Sequence, residues 1–271
     1  MTCMFRITGA ALLSGVVFGS ALAQAADVTG EEIVKQCEYK NPGADQRSKL
    51  SIILKDKDAN ERKNVYLRLW KDYQGKDDIA NKMVLYTEFP PDAKGTAFLR
   101  WAFMPSVGRN ADQWIYLPVL RKTRAVTVRD PGDSFLGSDL TYADISGRNL
   151  DEDKHQFVKI DTQNGREFYV VESLPKEDKP LYSKRVSWFA KTSEWDSCVK
   201  VHVAYYDTKG ILLKRQSLSW QKIQDAWMWK EVQVQNVQTN HVSIFQIDNA
   251  EVNVGLEDGQ FTERALRKDS Q

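Results

Sequence analysis

The chain has 271 residues, 42% of them hydrophobic and 28% charged, with 38 Lys plus Arg against 37 Asp plus Glu. That is the composition of a folded globular protein with a core of ordinary size. The near-balance of charge excludes a partner held by phosphate neutralisation, so no nucleic acid is expected.

Arg6 is the lone charge before an apolar run, Ile7 to Leu22, interrupted by Gly9, Ser14, Gly15, Gly19 and Ser20. Ala21-Leu22-Ala23 and Ala23-Gln24-Ala25 both fit a small-x-small cleavage pattern. Residues 1–25 therefore read as a secretory signal peptide, cut after Ala23 or Ala25. An uncleaved anchor would want about 20 unbroken apolar residues. No Cys follows the cleavage region to carry a lipid, so residues 26–271 are expected to move freely in the periplasm as a single domain. Cys3 leaves with the signal. Cys37 and Cys198 either pair in that oxidising compartment or remain two buried thiols, and spacing does not choose between these.

Thr29-Gly30-Glu31-Glu32 opens a short helix to about Cys37 or Glu38, with Thr29 as N-cap and acids in the first turn. Asn41-Pro42-Gly43 stops it. Ser48–Lys55 alternates Leu50, Ile52 and Leu54 on one face, and a charged tip leads to a strand with Val65, Leu67, Leu69 opposing Tyr66, Arg68, Trp70. A further strand spans Lys82–Glu88 before Phe89-Pro90-Pro91-Asp92 breaks the sheet. Thr96–Met104 carries large apolar groups on both faces, which predicts a strand covered on both sides or turned to a cavity. The whole stretch from Asp92 to Ile145, with Asp112–Arg124 as its middle, reads as three strands followed by a Gly-punctuated loop and a short helical turn.

Beyond this lie strands at about Lys154–Asp161 and Arg166–Leu174, joined at Asn164-Gly165, a strong hairpin signal. Leu181–Ala190, Cys198–Asp207, Ile211–Gln221, Trp227–Gln238 and His241–Asp248 complete the strands. Asp258–Leu266 reads as a terminal helix or turn and Arg267–Gln271 as a frayed tail. Short turns between about a dozen strands predict a mainly β, antiparallel, strongly curved sheet, closed or nearly so.

Several short runs, in order along the chain, resemble the outer-membrane lipoprotein-sorting proteins, distant relatives of LolA and LolB. They are Lys94-Gly95-Thr96-Ala97-Phe98-Leu99, Asp112-Gln113-Trp114-Ile115-Tyr116-Leu117-Pro118 and Ser134-Phe135-Leu136-Gly137-Ser138-Asp139. Tyr182-Ser183-Lys184 before Trp188, Tyr205-Tyr206-Asp207 before Gly210, and Asn253-Val254-Gly255-Leu256 before Phe261-Thr262 continue the series. The resemblance implies an unclosed β-barrel plugged by short helices, for which the 29–38 helix and the 133–145 loop are the candidates. It also implies a non-enzymatic carrier of lipidated protein or lipid cargo, working between an inner-membrane transporter and an outer-membrane acceptor and touching membrane surfaces transiently. An adaptor that docks to an RND-type lipid transporter and carries nothing is the alternative.

Catalytic signals are weak. His155, His202 and His241 fall on separate strands with no metal-ligand spacing. No Gly-x-Ser-x-Gly elbow or Gly-rich phosphate loop is present, so no cofactor and no metal are expected. The aromatic and aliphatic strand residues carry more weight. Tyr66, Trp70, Leu85, Phe98, Leu99, Trp101, Trp114, Tyr116, Phe135, Leu136, Tyr142, Trp188 and Phe245 are candidates for an acyl-chain cavity, although alternation leaves open which face is concave. Arg100, Arg121, Lys122, Arg124 and Arg129 are candidates for headgroup or partner docking.

Overall fold

A computed structural model describes residues 28–126, 130–146 and 148–268. The expected signal peptide and Arg129 lie outside the described residues. Helix α1 runs Gly30–Glu38, and the Thr29 hydroxyl accepts from the Glu32 amide at 3.1 Å, as its N-cap position predicts. Its buried stripe, Ile33, Val34 and Cys37, faces Val171 and Phe189.

Thirteen strands follow among the described residues. They are β1 Asp45–Lys55, β2 Glu61–Asp72, β3 Ile79–Phe89, β4 Ala97–Phe103, β5 Asp112–Leu117, β6 Lys122–Val126 and β7 Asp153–Gln163, then β8 Arg166–Pro175, β9 Lys184–Ala190, β10 Lys200–Tyr206, β11 Leu212–Ile223, β12 Ala226–Asn236 and β13 Val242–Val252. All belong to one antiparallel sheet in the order β6-β5-β4-β3-β2-β1-β13-β12-β11-β10-β9-β8-β7. Each half is a meander, and the pairing of β1 with β13 welds them, with Leu50 opposite Ile247 and Ile52 opposite Phe245. Strands β6 and β7 are left as free edges, so the barrel is unclosed.

Asn164 and Gly165 both take positive φ, 50° and 74°, which gives the tight turn between β7 and β8 the twist that a two-residue hairpin needs. Several expected boundaries shift, three of them for reasons the packing supplies. Leu181–Ser183 and Cys198 precede their strands, because Tyr182 is drawn off the ladder onto the core and Cys198 onto α1. Arg267 belongs to α2, Glu263–Lys268, and its Nε reaches the Thr123 hydroxyl at 3.5 Å, so the tail is helical to Lys268.

Alternation along the strands divides the side chains into two layers. Leu50, Ile52, Leu54, Tyr66, Leu85, Phe98, Val203, Leu218, Val232 and Phe245 form the inner cluster. Residues 130–146, the connection between the edge strands, lie over this face and insert Phe135 and Leu140 into it. Leu69, Val84, Tyr86, Ala97, Leu99 and Tyr116 form the outer cluster, roofed by Leu256, Phe261 and Leu266 of the C-terminal segment. Strand β4 is therefore covered on both sides, as its two apolar faces imply.

Candidate binding cavity

Between the inner face and residues 130–146 lies a cavity of about 340 Å³. Its walls include Leu50, Trp70, Met83, Phe245 and Ile247 from the sheet and Phe135, Leu140 and Ile145 from the covering segment. Beside it are a polar compartment of about 300 Å³, sharing Glu38, Ile145, Trp220 and Trp229, and a larger hollow of about 640 Å³, sharing Asn81, Arg100 and Ile145.

Of the residues singled out from sequence, Trp70, Phe135 and Phe245 line the cavity, and Tyr66, Leu85 and Phe98 belong to the same inner core. Leu136 packs against that core and Tyr142 lines the hollow. Leu99, Trp101, Trp114 and Tyr116 do not face the cavity. Each is one residue out of step with Phe98 or its partners, and the strand period sends them to the outer cluster. Trp101 donates its indole N–H to the Phe261 carbonyl at 2.9 Å and meets Trp114 edge-on. Trp188 also points outward, opposite Val170 and His202, and its indole donates to Asp161 at 3.0 Å.

The basic group divides in the same way. Arg100 is buried in the inner wall, whereas Arg121, Lys122 and Arg124 are exposed on and beside edge strand β6. Arg100 is thus no part of their patch, because β4 and β6 are separated by β5. Cys37 and Cys198 are joined by a disulfide, which fastens α1 to the segment before β10.

Trp220, Trp229, Met228 and Arg68 line the cavity without having been singled out. A bulge at Ser219/Trp220 explains Trp229: the ladder pairs Ser219 with Glu231 and Trp220 with Trp229, so Trp229 and Val232 share the inner side although three residues apart. Simple alternation would have separated them. The Ala226–Trp229 run, with two tryptophans and a methionine in four residues, was the available signal.

Polar latches hold the covering segment. Asp139 accepts from the Ser243 hydroxyl and meets His241 Nδ1, each at 2.6 Å, and its amide donates to Ser243 Oγ at 2.9 Å. Serine and histidine both engage the carboxylate, so the hydroxyl lacks the imidazole contact that would make it a nucleophile. Lys214 Nζ meets Asp144 at 2.6 Å with both side chains 3% exposed, and donates to the Asp139 carbonyl at 2.7 Å. Tyr182 adds its hydroxyl to Asp144 at 3.1 Å, and burial, then the nearby Asp144 charge, pushes the phenol pKa of Tyr182 upward. Arg100 Nη2 donates to Ser146 Oγ at 3.0 Å.

Desolvation pushes the Arg68 and Arg100 guanidiniums down to about 10, which leaves both charged at neutral pH. Burial raises the Glu38 carboxyl, but the charge and hydrogen bond of Lys200 outweigh it and hold it below its ordinary value.

A family model described as "Uncharacterized protein" matches residues 80–268, well over half of the chain. The chain belongs to that family. Solved structures extend the likeness to outer membrane lipoprotein-sorting and LolA-superfamily proteins, whose fold this family member has. A domain provisionally named as an outer membrane lipoprotein-sorting protein, from Vibrio parahaemolyticus, is 25% identical with a TM-score of 0.73, covering 88% of this chain and 98% of that one. A DUF1329 family protein from Desulfovibrio piger is 23% identical with a TM-score of 0.75, over 88% and 97% of the two chains. A LolA superfamily protein from Nitrosomonas europaea shares 17% identity with a TM-score of 0.62, over 88% and 99%. No curated protein matches the sequence. No helix among the described residues is long and apolar enough to cross a membrane.

Proposed function

We propose that this family member is a periplasmic, non-enzymatic carrier that shelters the acyl chains of lipoproteins or lipids and passes them toward the outer membrane. The apolar cavity beneath the 130–146 segment carries this reading, because it offers hydrocarbon an interior that this segment overlies. The Vibrio relative, named for lipoprotein sorting, supports it. Residues 1–25 would direct export, and 26–271 would act as one domain.

The energetics say why a cover is needed. Hiding hydrocarbon from water is worth about 0.8 kcal/mol per methylene, so a chain of roughly fifteen carbons represents about 12 kcal/mol. Cargo held that firmly leaves only if its walls move. Asp139 and Asp144 tether the cover by polar contacts, which can be exchanged for water as it lifts. Transfer from an inner-membrane transporter to an outer-membrane acceptor would then follow differential affinity, without covalent chemistry.

Organic extraction and mass spectrometry of protein taken from a periplasmic fraction test the proposal. Acyl-bearing molecules should co-purify, and the D139C/S243C variant, once oxidised, should take none up because its cover is pinned. Lipid-free protein that instead captures a membrane complex would replace the carrier with an adaptor.

A further inference from the structure

The cavity wall carries three cations, Lys40, Arg68 and Arg100, against one carboxylate, Glu38. Glu38 is taken by Lys200 at 2.5 Å, and Lys40 donates to the carbonyls of Gln36, Trp195 and Asp196. Among the described residues, neither arginine has a carboxylate within ion-pair distance. Arg68 donates to Gln46 Oε1 at 2.8 Å. Arg100 is 4% exposed, and its Nε has no partner.

Directly across the ladder from Arg100 stands Gln113, 2% exposed, whose side-chain nitrogen and oxygen also lack partners. Burying a cation without a counter-charge and an amide without hydrogen bonds is costly, and a well-packed apolar pair would have filled the wall at less expense. Arg100 borders both the apolar cavity and the larger hollow, and Gln113, its ladder partner, lines the hollow, so the two residues stand side by side in the wall where a head group would enter. A guanidinium edge beside an amide N–H suits a carboxylate or phosphate oxygen.

We propose that the protein selects single-chain amphiphiles with an anionic head, the tail among the apolar cavity walls and the carboxylate or phosphate held between Arg100 and Gln113. This specificity rests on the carrier reading above. Arg68 adds a second positive charge to the same cavity and reinforces the preference.

Quenching of the cavity tryptophans, which include Trp70, Trp220 and Trp229, reports binding to the purified protein. Hexadecanoate, palmitoyl lysophosphatidate and neutral monopalmitin are titrated in parallel. At least one of the two anions should bind about tenfold more tightly than monopalmitin, the gain expected from one charge-assisted contact. Preference for hexadecanoate alone identifies a free carboxylate as the head, and preference for lysophosphatidate alone a phosphate. Arg100→Gln should bring the ratio of anion to monopalmitin affinity close to one, and Arg68→Gln should lower it partly.

Should Arg100→Gln not fold, Gln113→Glu places a negative charge beside the head and should reduce the anion preference alone. Equal affinity for charged and neutral probes in the unaltered protein, or a preference that survives both Arg100→Gln and Gln113→Glu, overturns the proposal. Failure of all three probes to bind overturns the acyl-cavity reading beneath it.

Discussion

Lys214 and Asp144 show how much one pair can hold, since both side chains are almost fully buried and each keeps further polar partners. The lysine also lies 4.9 Å from the Tyr205 ring centre and 5.2 Å from that of Tyr182. Lys214→Met leaves a buried carboxylate unpaired and should cost about 3–5 kcal/mol in urea unfolding. Adding Asp144→Leu should restore much of that loss. His202 titrates in the opposite sense from a histidine paired with a carboxylate. Burial against Phe168 holds its imidazole below the ordinary 6.5, so the folded state binds fewer protons than the unfolded one. Stability is then complete above the unfolded pKa and declines as pH falls through it toward the folded value. His202→Gln should flatten that part of the melting-temperature profile between about pH 7 and 5.

At the scale of elements, α1 is fixed by contact as much as by its cap. A Cβ added at Gly30 would lie 2.6 Å from the Phe157 amide nitrogen and 2.7 Å from the Gln156 carbonyl carbon, both β7 backbone. Gly30→Ala must push the helix off the sheet and should cost about 1–3 kcal/mol by thermal unfolding. The helix itself was legible from Thr29 and the acids after it, and the strands from their alternation, because both signals are local. Which face is concave was not legible: Phe98 and Leu99 are chemically similar neighbours, and only pairing across many strands sends one to the inner core and the other to the cluster beneath Phe261. Trp229 escaped because a bulge reset the alternation. Arg68 and Gln113 escaped for another reason, since a polar residue on a strand looks solvated until the structure shows which hollow it lines.

For the whole molecule, the Cys37–Cys198 link closes a span of 161 residues. Cross-links over loops of that length restrict the unfolded chain enough to stabilise by about 2–5 kcal/mol. Cys37→Ser with Cys198→Ser should lower the urea midpoint accordingly. The loss should loosen α1 first, because its buried stripe meets the sheet beside the link.

The covering segment is itself the stretch of chain that joins β6 to β7, the two rims of the open sheet. A strip fastened at both margins of a gap cannot swing like a hinged door. It can only bow outward or let the margins spread. Those margins share no ladder bonds, so parting them breaks no backbone hydrogen bonds between strands, and under the carrier proposal a bulkier guest would be admitted by widening the slot. Distances between spin labels on β6 and β7, compared with and without an added acyl-chain probe, should then increase with the size of the probe.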